Sequence, residues 1–502
     1  MILKDLIKSI DRVKSVNGTL NNNVNKICYD SRKVNSEEDL FVAINSLDDN
    51  ALQFIPQAIE NGSRVIVFDN KDLVDINELK KIKLDEEFTF IEVEDARVAM
   101  AQLSFKLNGS PQNKLKLFGI TGTNGKTTIS YLIKQIFENE GIKTVLIGTL
   151  GVMIENDFLS TGFTTPESPD LAIILNDAIE KGCKAVVMEV SSHALALNRV
   201  FGINFNGAIF SNITIDHLDF HKTFEEYLNT KLKLFQNLDS NGFAVINIDD
   251  NYGDKFVDMC KTQAITYGKQ KETSARIENI KLELGFTRFD LIMKNGNCYN
   301  LQTKFTGEFN VYNVASVVAL CDCLGFDKIR LTKAVSELIG VPGRMETFKS
   351  SIGFNVIVDY AHTPDAIENV LVTLRNLITN DGKIICVFGC GGDRDKSKRP
   401  LMGEVSSRLS DKVIVTSDNP RTENPLDIIN EVVTGIIDKS NFYEIEIDRE
   451  VAIKRAIKIA NKNDIVLIAG KGHEDYQVIG NQKIHLDDRE IVRKFLNINS
   501  ND

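Results

Sequence analysis

No stretch of this 502-residue chain approaches the ~18 consecutive apolar residues that a membrane span requires. The first fifteen residues carry Lys4, Asp5, Lys8, Asp11 and Arg12, so a signal peptide's unbroken apolar segment is missing as well. Excess basic charge is also lacking: 59 Lys and Arg stand against 70 Asp and Glu, a net of −11. That balance speaks against nucleic-acid and membrane-surface binding, which both want a basic field. The eight cysteines (28, 183, 260, 298, 321, 323, 386 and 390) form no C-x-x-C pair. A zinc site or disulfide framework is therefore not expected, and the cysteines read as small buried apolar side chains. Short repeats and low-complexity tracts are absent too. The expectation is a cytoplasmic protein without membrane insertion.

What is present is ordinary for a folded chain: 43% apolar and 26% charged residues. At roughly 150 residues per domain the length suggests about three domains. Composition shifts at Asn108-Gly-Ser-Pro111 and again at Gly340-Val-Pro-Gly343. These breaks predict domains over residues 1–110, 111–341 and 342–502. Strand-like and helix-like segments alternate, which implies an α/β fold with mostly parallel sheets. Binding sites in such sheets lie beyond the carboxyl ends of the strands.

Leu115–Gly119 reads as a strand. Ile129, Leu132, Ile133, Ile136 and Phe137 keep helical spacing, and Gly141 is a fitting stop. Between them lies Thr121-Gly-Thr-Asn-Gly-Lys-Thr-Thr128. Its glycines let backbone N–H groups close on phosphate oxygens, and the helix start adds its positive end. Lys126 would reach the β/γ-phosphates and the Thr127 hydroxyl would bind Mg²⁺. The strict G-x-x-x-x-G-K-[ST] form is not met, because residue 120 is Ile. ATP or GTP binding is expected. Asn461-Lys-Asn-Asp464 resembles a guanine reader but precedes an apolar run rather than following one, so a solvated turn explains it better.

Glu189 ends the buried-strand pattern Ala185–Val190 and is followed by Ser191-Ser192-His193. Gly207–Asn212 is a second such strand, running into Asp216-His217-Leu218-Asp219-Phe220-His221. Singly these groups could be helix caps or satisfied core residues. Together, beside a phosphate loop, they suit Mg²⁺ between protein and triphosphate. Lys231 sits mid-stripe on a predicted helix, with Phe224, Tyr227, Leu234, Phe235 and Leu238 on its own face. Either it snorkels to an edge, or burial lowers its pKa and exposes a neutral amine able to take up CO₂ as a carbamate. In the third segment, three strand ends offer Arg394, Arg421, Lys471 and Glu474 to one crevice. Arg forks and a carboxylate suit an amino-acid zwitterion, although a solvated charge cluster is the alternative. Gly389-x-Gly391 is a weak dinucleotide fingerprint.

In order along nearly the whole chain run Gly122–Thr128, Thr164-Thr-Pro166, Met188–His193, Asp216–Asp219 and Gly307-Glu-Phe-Asn310. Asp359–Asp365, Gly389–Asp395, Asp418-Asn-Pro-Arg421, Gly470–Asp475 and Asp488-Arg-Glu490 complete the series. In these motifs the chain closely resembles the Mur ligases. The resemblance implies a smaller N-terminal α/β nucleotide-binding domain, a central P-loop ATPase domain and a C-terminal Rossmann-like domain for the incoming amino acid. It implies ATP-dependent addition of meso-diaminopimelate to UDP-N-acetylmuramoyl-L-alanyl-D-glutamate in peptidoglycan synthesis, by a monomer. L-lysine or another diamino acid is the alternative; polyglutamate addition and a non-catalytic ATP switch are more distant ones.

By the same resemblance Lys126, Glu189, His217 and Lys231 are catalytic. Thr127, Glu189, His217 and carbamylated Lys231 would gather Mg²⁺. Gly122, Thr123, Asn124, Gly125, Lys126, Thr127, Thr128, Asn310, Arg344 and Asp359 would contact ATP. Ser31, Thr164, Thr165, Ser191 and Arg199 would hold the UDP-muramoyl dipeptide. Arg394, Asp418, Asn419, Pro420, Arg421, Gly470 and Glu474 would hold diaminopimelate. The chain departs from the family at Leu197, where some relatives carry Gln, and at Ser46, Asn50 and Ala51, where Gly, Asp and Gly are usual.

Overall fold

The computed structural model describes every residue except 46–49, 70–87, 156, 160, 379–380, 437–442 and 499–502. Ser46 therefore lies outside the described residues. The result is a mixed α/β structure with three main sheets laid down in succession along the chain.

The first sheet orders Val13–Asn17, Thr89–Val93, Val65–Asp69, Asp39–Ala43 and Lys26–Cys28. Only its first pair is antiparallel. Asp39–Ala43 and Val65–Asp69 are buried along their full length, as expected of parallel strands covered on both faces.

The second sheet has eleven strands. Its heart is parallel, with Leu238–Asn247, Phe205–Phe210, Lys116–Thr121, Ala185–Glu189 and Thr144–Gly148 side by side. Antiparallel strands finish both edges. The predicted stripe Ile129, Leu132, Ile133, Ile136 and Phe137 packs one face together with helix Glu308–Cys323. Helices Ser168–Glu180 and Phe224–Gln236 cover the other face. Helix Phe224–Gln236 begins at Thr223, whose hydroxyl accepts from the Glu226 N–H at 3.1 Å. Its burial pattern seats Lys231 inside and Lys233 outside.

The third sheet orders Glu346–Lys349, Asn355–Asp359, Ile465–Ala469, Ile384–Phe388, Lys412–Val415 and Tyr443–Ile445, parallel after its first pair. Asn424 caps helix Pro425–Val433 by accepting from the Leu426 N–H at 2.9 Å, with Pro425 in the first turn. Asp464 is not solvated: it is buried and accepts from the N–H groups of Lys383 (2.8 Å) and Asn461 (2.7 Å). Asn461–Asp464 is thus an internally braced turn. The cysteines divide. Cys28, Cys183, Cys321, Cys386 and Cys390 are buried, Cys260 and Cys298 are intermediate, and Cys323 is exposed.

Behind the carboxyl edge of this third sheet Arg449 is wholly buried against Asp488. Its Nε and Nη2 donate to the two Asp488 oxygens at 2.8 and 2.7 Å, and Nη2 also donates to the Ala469 carbonyl at 2.9 Å. The pair ties the C-terminal helix Asp488–Leu496 to a strand end. Removing one partner leaves a buried charge uncompensated, which costs about 3–5 kcal/mol. Asp488→Ala is expected to lower the unfolding free energy of this part of the chain by that amount, read as a fall in its denaturant midpoint at unchanged m-value. An unchanged midpoint would show the pair to be dispensable.

Candidate active site

The strand Lys116–Thr121 delivers the phosphate loop directly into helix Lys126–Asn139. Gly122 has φ +150°, and a Cβ there would overlap the Ser211 hydroxyl, so no larger residue fits. The loop is stitched to the neighbouring strand end. The Thr123 and Asn124 N–H groups donate to the Asn212 carbonyl and Oδ1 at 2.8 and 2.9 Å.

Two lysines converge on one carbonyl. Lys126 Nζ donates to Gly122 O at 2.9 Å and to Thr123 O at 2.8 Å. Lys231 Nζ donates to the same Gly122 O at 2.8 Å and lies 4.6 Å from the Tyr227 ring centre. Lys231 is 1% exposed, so it does not snorkel to solvent. Burial, reinforced by the charge of Lys126, drives its pKa well below that of an ordinary lysine. Lys126 is pushed down by burial as well.

Glu189, at the end of its strand, accepts from Thr127 Oγ1 at 3.1 Å. Thr149 donates to it twice, from Oγ1 at 3.0 Å and from its N–H at 2.9 Å. Sequence reasoning missed Thr149; its only signal is its place just past the buried strand Thr144–Gly148. His217 takes a left-handed backbone (φ 54°) and sits 3.3 Å from Asp216 Oδ2. Burial holds its imidazole near a pKa of about 4, hence neutral and ligand-competent. Its ring meets that of His193, which in turn meets His221, at centroid distances of 4.9 and 5.7 Å.

Among the described residues, no group of three or more His, Cys, Asp or Glu is arranged to hold a metal ion. The hydroxyl of Thr127, the carboxylate of Glu189 and the neutral imidazole of His217 nevertheless fit Mg²⁺ brought in on a nucleotide. Mg²⁺ commonly takes only one or two protein carboxylates and completes its shell with phosphates and water.

Residues of the third sheet close on this loop. Arg344 Nη2 donates to Thr127 Oγ1 at 3.3 Å, and its guanidinium lies 4.4 Å from the Tyr360 ring centre. Asp365 Oδ2 accepts from Asn124 Nδ2 at 2.7 Å and from Thr214 Oγ1 at 3.3 Å. Asp359 is buried and occupied with backbone, accepting from the Met345 and Ala361 N–H groups at 2.7 and 2.8 Å. Asn310 stands one layer back, accepting from Asn313 Nδ2 at 3.0 Å. Thr128 is buried within the first helical turn.

Near the Glu189 strand end, Thr165 Oγ1 donates to Glu189 O at 2.8 Å and the Ser191 N–H donates to Thr165 Oγ1 at 3.2 Å. Arg199 Nη1 donates to Thr165 O at 2.9 Å, and Thr164 Oγ1 lies 3.3 Å from Thr149 Oγ1. These four expected substrate residues are therefore together. Ser31 stands apart on the first sheet's unit, donating to Gln57 Oε1 at 2.6 Å. Asn50 caps the turn Ala51–Phe54, and Leu197 ends the short helix Ser192–Ala196.

The third-sheet crevice is more tightly built than its sequence suggests. Arg421 has a left-handed φ of 52°, and its N–H donates to Val478 O at 3.0 Å. Its Nη1 donates to Gly392 O at 2.7 Å. Pro420 packs against Gly392, where a Cβ would overlap the Pro420 carbonyl. Asn419 Nδ2 and the fully buried Lys471 Nζ both donate to Glu474 Oε2 at 2.9 Å. Asp418 is buried beside Gly470. Arg394 reaches only its neighbour's carbonyl, Asp393 O, at 3.1 Å and is exposed.

Comparison with known proteins adds lineage to this geometry. The Mur ligase middle domain model matches residues 120–321, and the Mur ligase glutamate ligase domain model matches residues 343–472. A UDP-N-acetylmuramoyl-L-alanyl-D-glutamate–2,6-diaminopimelate ligase of Clostridium tetani is 43% identical over 498 residues, covering 99% of both chains. The same-named protein of Clostridium botulinum is 44% identical over 475 residues, covering 94% of this chain and 95% of its own. A solved structure of a ligase of that name superposes with a TM-score of 0.69 at 31% identity, covering 99% of each chain.

His221 supplies a test of the site's electrostatics. It is 1% exposed, neither ring nitrogen has a hydrogen-bond partner, and burial lowers its pKa to about 4. The unfolded chain takes up this proton near pH 6.5. Between those values the unfolded state binds more protons, so stability falls as pH falls, by roughly 2 kcal/mol at pH 5. His221→Phe is therefore expected to shrink the drop in unfolding midpoint between pH 7.5 and pH 5. An undiminished drop would mean that His221 is not the group responsible.

Proposed function

Because this chain belongs to the Mur ligase family, we propose that it is the ATP-dependent ligase that adds meso-diaminopimelate to UDP-N-acetylmuramoyl-L-alanyl-D-glutamate. One observation carries the proposal. A phosphate loop with two convergent lysines is met by the third-sheet unit, which also carries the crevice of Arg421, where Arg344 reaches Thr127. Residues 1–110 would bind the UDP-sugar peptide, 111–341 the ATP, and 342–502 the incoming amino acid. The reading places the enzyme in the cytoplasm as a monomer.

The D-glutamate side-chain carboxylate attacks the γ-phosphorus of ATP, and ADP leaves. The diaminopimelate amine then attacks the acyl carbon, phosphate leaves with the bonding pair, and the amine proton is released. Both steps need charge neutralisation and alignment more than covalent help. Lys126 is the cation that meets the transferring phosphoryl group once it leaves the loop carbonyls. Gly122, Thr123, Asn124, Gly125, Thr127 and Thr128 wrap the phosphates, with Asn310, Arg344 and Asp359 framing the nucleotide. Thr127, Glu189, His217 and Lys231 would hold Mg²⁺, which would supply neutralisation of the phosphate charge. The neutral amine of Lys231 would attack the carbon of CO₂ and release one proton, which turns a neutral side chain into an anionic ligand. Thr164, Thr165, Ser191 and Arg199, with Ser31 further off, would seat the UDP-muramoyl dipeptide.

Lysine and meso-diaminopimelate share the L-centre that is joined. Diaminopimelate alone ends in a second carboxylate, which must meet a cation, and a lysine in that pocket would leave the cation unpaired. Arg421 is fixed for that role, with Arg394 beside it. Asn419 and Glu474 would face the distal ammonium, and Asp418, Pro420 and Gly470 would shape the wall. An ATPase assay with UDP-muramoyl dipeptide and a panel of diamino acids is expected to give turnover with meso-diaminopimelate. Preference for L-lysine would overturn the substrate assignment. Arg421→Ala should lose about 30-fold or more of diaminopimelate efficiency, as removal of a buried charged contact costs roughly 2–5 kcal/mol. ATP affinity should hardly change.

Lys231→Ala is expected to be inactive, falling by at least ~10²-fold, and to recover partly with acetate or formate supplied as the missing anion. A free Lys231 amine in an active, ATP-bound enzyme would sink the carbamate.

A further inference from the structure

Glu167 is among the buried carboxylates that the ligation chemistry does not use. Glu167 is 5% exposed and occupies the N-cap position of helix Ser168–Glu180, yet its side chain makes no capping bond. The helix start favours its negative charge, but the carboxylate is turned instead between two guanidiniums. Arg199 Nε lies 2.9 Å from Oε1. Arg97 Nη1 donates to Oε2 at 3.4 Å and to Oε1 at 3.5 Å.

The two arginines come from different parts of the chain. Arg199 is held by Thr165 O and capped by the Phe163 ring, 4.6 Å from its guanidinium. Arg97 opens the helix Ala96–Leu107 of the N-terminal unit. Its Nη2 donates to Asn45 O at 3.2 Å, and Asn45 Oδ1 accepts from the Ala51 N–H at 2.8 Å. Arg97 therefore grips Asn45, while Arg199 grips the segment that carries Thr164 and Thr165. Tyr29 OH donates to Asp170 Oδ2 at 2.6 Å, a second tie between the same two units.

Charge counting gives the triad a direction. Within the triad itself one carboxylate stands between two guanidiniums in a largely buried place, a local excess of one positive charge, while the neighbouring carboxylate of Asp170 is engaged by the Tyr29 hydroxyl; the guanidinium edges turned away from Glu167 therefore favour an incoming anion. The UDP-muramoyl dipeptide carries such groups in its pyrophosphate and its carboxylates. We propose that Glu167 is a positioning residue that locks Arg97 and Arg199 into one two-pronged seat for an anionic group of the UDP-muramoyl dipeptide. Arg97 is then a substrate-binding residue of the N-terminal domain. This rests on the assignment of the UDP-muramoyl dipeptide as substrate. Without Glu167 the two cations repel, and the N-terminal domain loses its registration on Thr165.

The test uses Glu167→Gln and, separately, Arg97→Gln in the full chain. Gln keeps the shape of Glu but offers one acceptor oxygen instead of two and turns an NH₂ toward guanidinium donors. Expected for both variants is a rise of about tenfold or more in KM for UDP-muramoyl dipeptide, the loss typical of a charged hydrogen bond. The kcat and the KM values for ATP and diaminopimelate should stay within about twofold to threefold of wild type, and calorimetric titration with the dipeptide alone should show the same weakening. An unchanged dipeptide KM, or losses spread evenly over all three substrates, would overturn the inference. If Glu167→Gln does not fold, Arg97→Gln, whose side chain is partly exposed, decides by the same readings. A wild-type chain that neither binds nor turns over the UDP-muramoyl dipeptide would instead refute the substrate reading, and this inference with it.

Discussion

Two ammonium groups sharing the carbonyl of Gly122 are the constraint around which the active centre is arranged. A carbonyl offers two lone pairs, so both bonds can form, but two adjacent buried cations repel. Lys126 has an outlet, since a nucleotide phosphate can draw it off the loop. Lys231 has none: it is wedged on an internal helix face against Tyr227. Its remaining course is to give up its proton. The same burial that makes Lys231 an expensive cation makes it a ready nucleophile toward CO₂, and the proposed carbamate would convert repulsion into attraction for Mg²⁺ and Lys126. Burial of Lys231 in turn requires the parallel sheet, because the face of helix Phe224–Gln236 that carries Lys231 must be covered.

Much of this was legible from residue spacing. The apolar neighbours of Lys231 at helical intervals left burial and snorkelling as its two courses, of which the structure shows burial, and the strand–loop–helix reading of residues 115–141 foretold the loop. Glu189 could be singled out because a carboxylate ending a buried strand needs partners. In the structure His193, His217 and His221 cluster ring to ring, while His362 and His473 gather on Tyr360.

What was not legible depended on side chains meeting across long stretches of chain. Asn124 and Asp365 are 241 residues apart, and no periodicity joins them. Lys471 reads as a solvent-facing crevice cation, yet it is fully buried and already paired with Glu474. Asp464 looked like a turn residue in water and proved a buried backbone acceptor. Thr149 and Glu167 are ordinary residues in sequence, made important only by the carboxylate or guanidiniums that tertiary packing sets beside them. Cys323 shows the opposite failure, a position assumed buried that the end of helix Glu308–Cys323 leaves exposed.

The two crevices divide the work according to how each is held. The phosphate loop is fastened by neighbouring strand ends, and its cations sit on backbone carbonyls that phosphate oxygens can replace. The amino-acid crevice is fastened by side chains already satisfied: Arg421 by Gly392 O, Glu474 by Lys471 and Asn419. A left-handed backbone at Arg421 costs of order 1–3 kcal/mol unless its surroundings impose it, and here the N–H bond to Val478 O and the bond from Gly480 N–H to its own carbonyl impose it. Such pre-organisation would suit the selection proposed for Arg421, because a ligand lacking the matching carboxylate could not recruit it by relaxing the site. Gly343 lies so close to Gly472 and His473 that a Cβ would overlap their backbone atoms. At that contact backbone meets backbone, with Arg344 next in the chain reaching Thr127. Gly343 thus packs within the third-sheet unit, and this tight packing fixes the backbone from which Arg344 crosses to Thr127 of the phosphate loop.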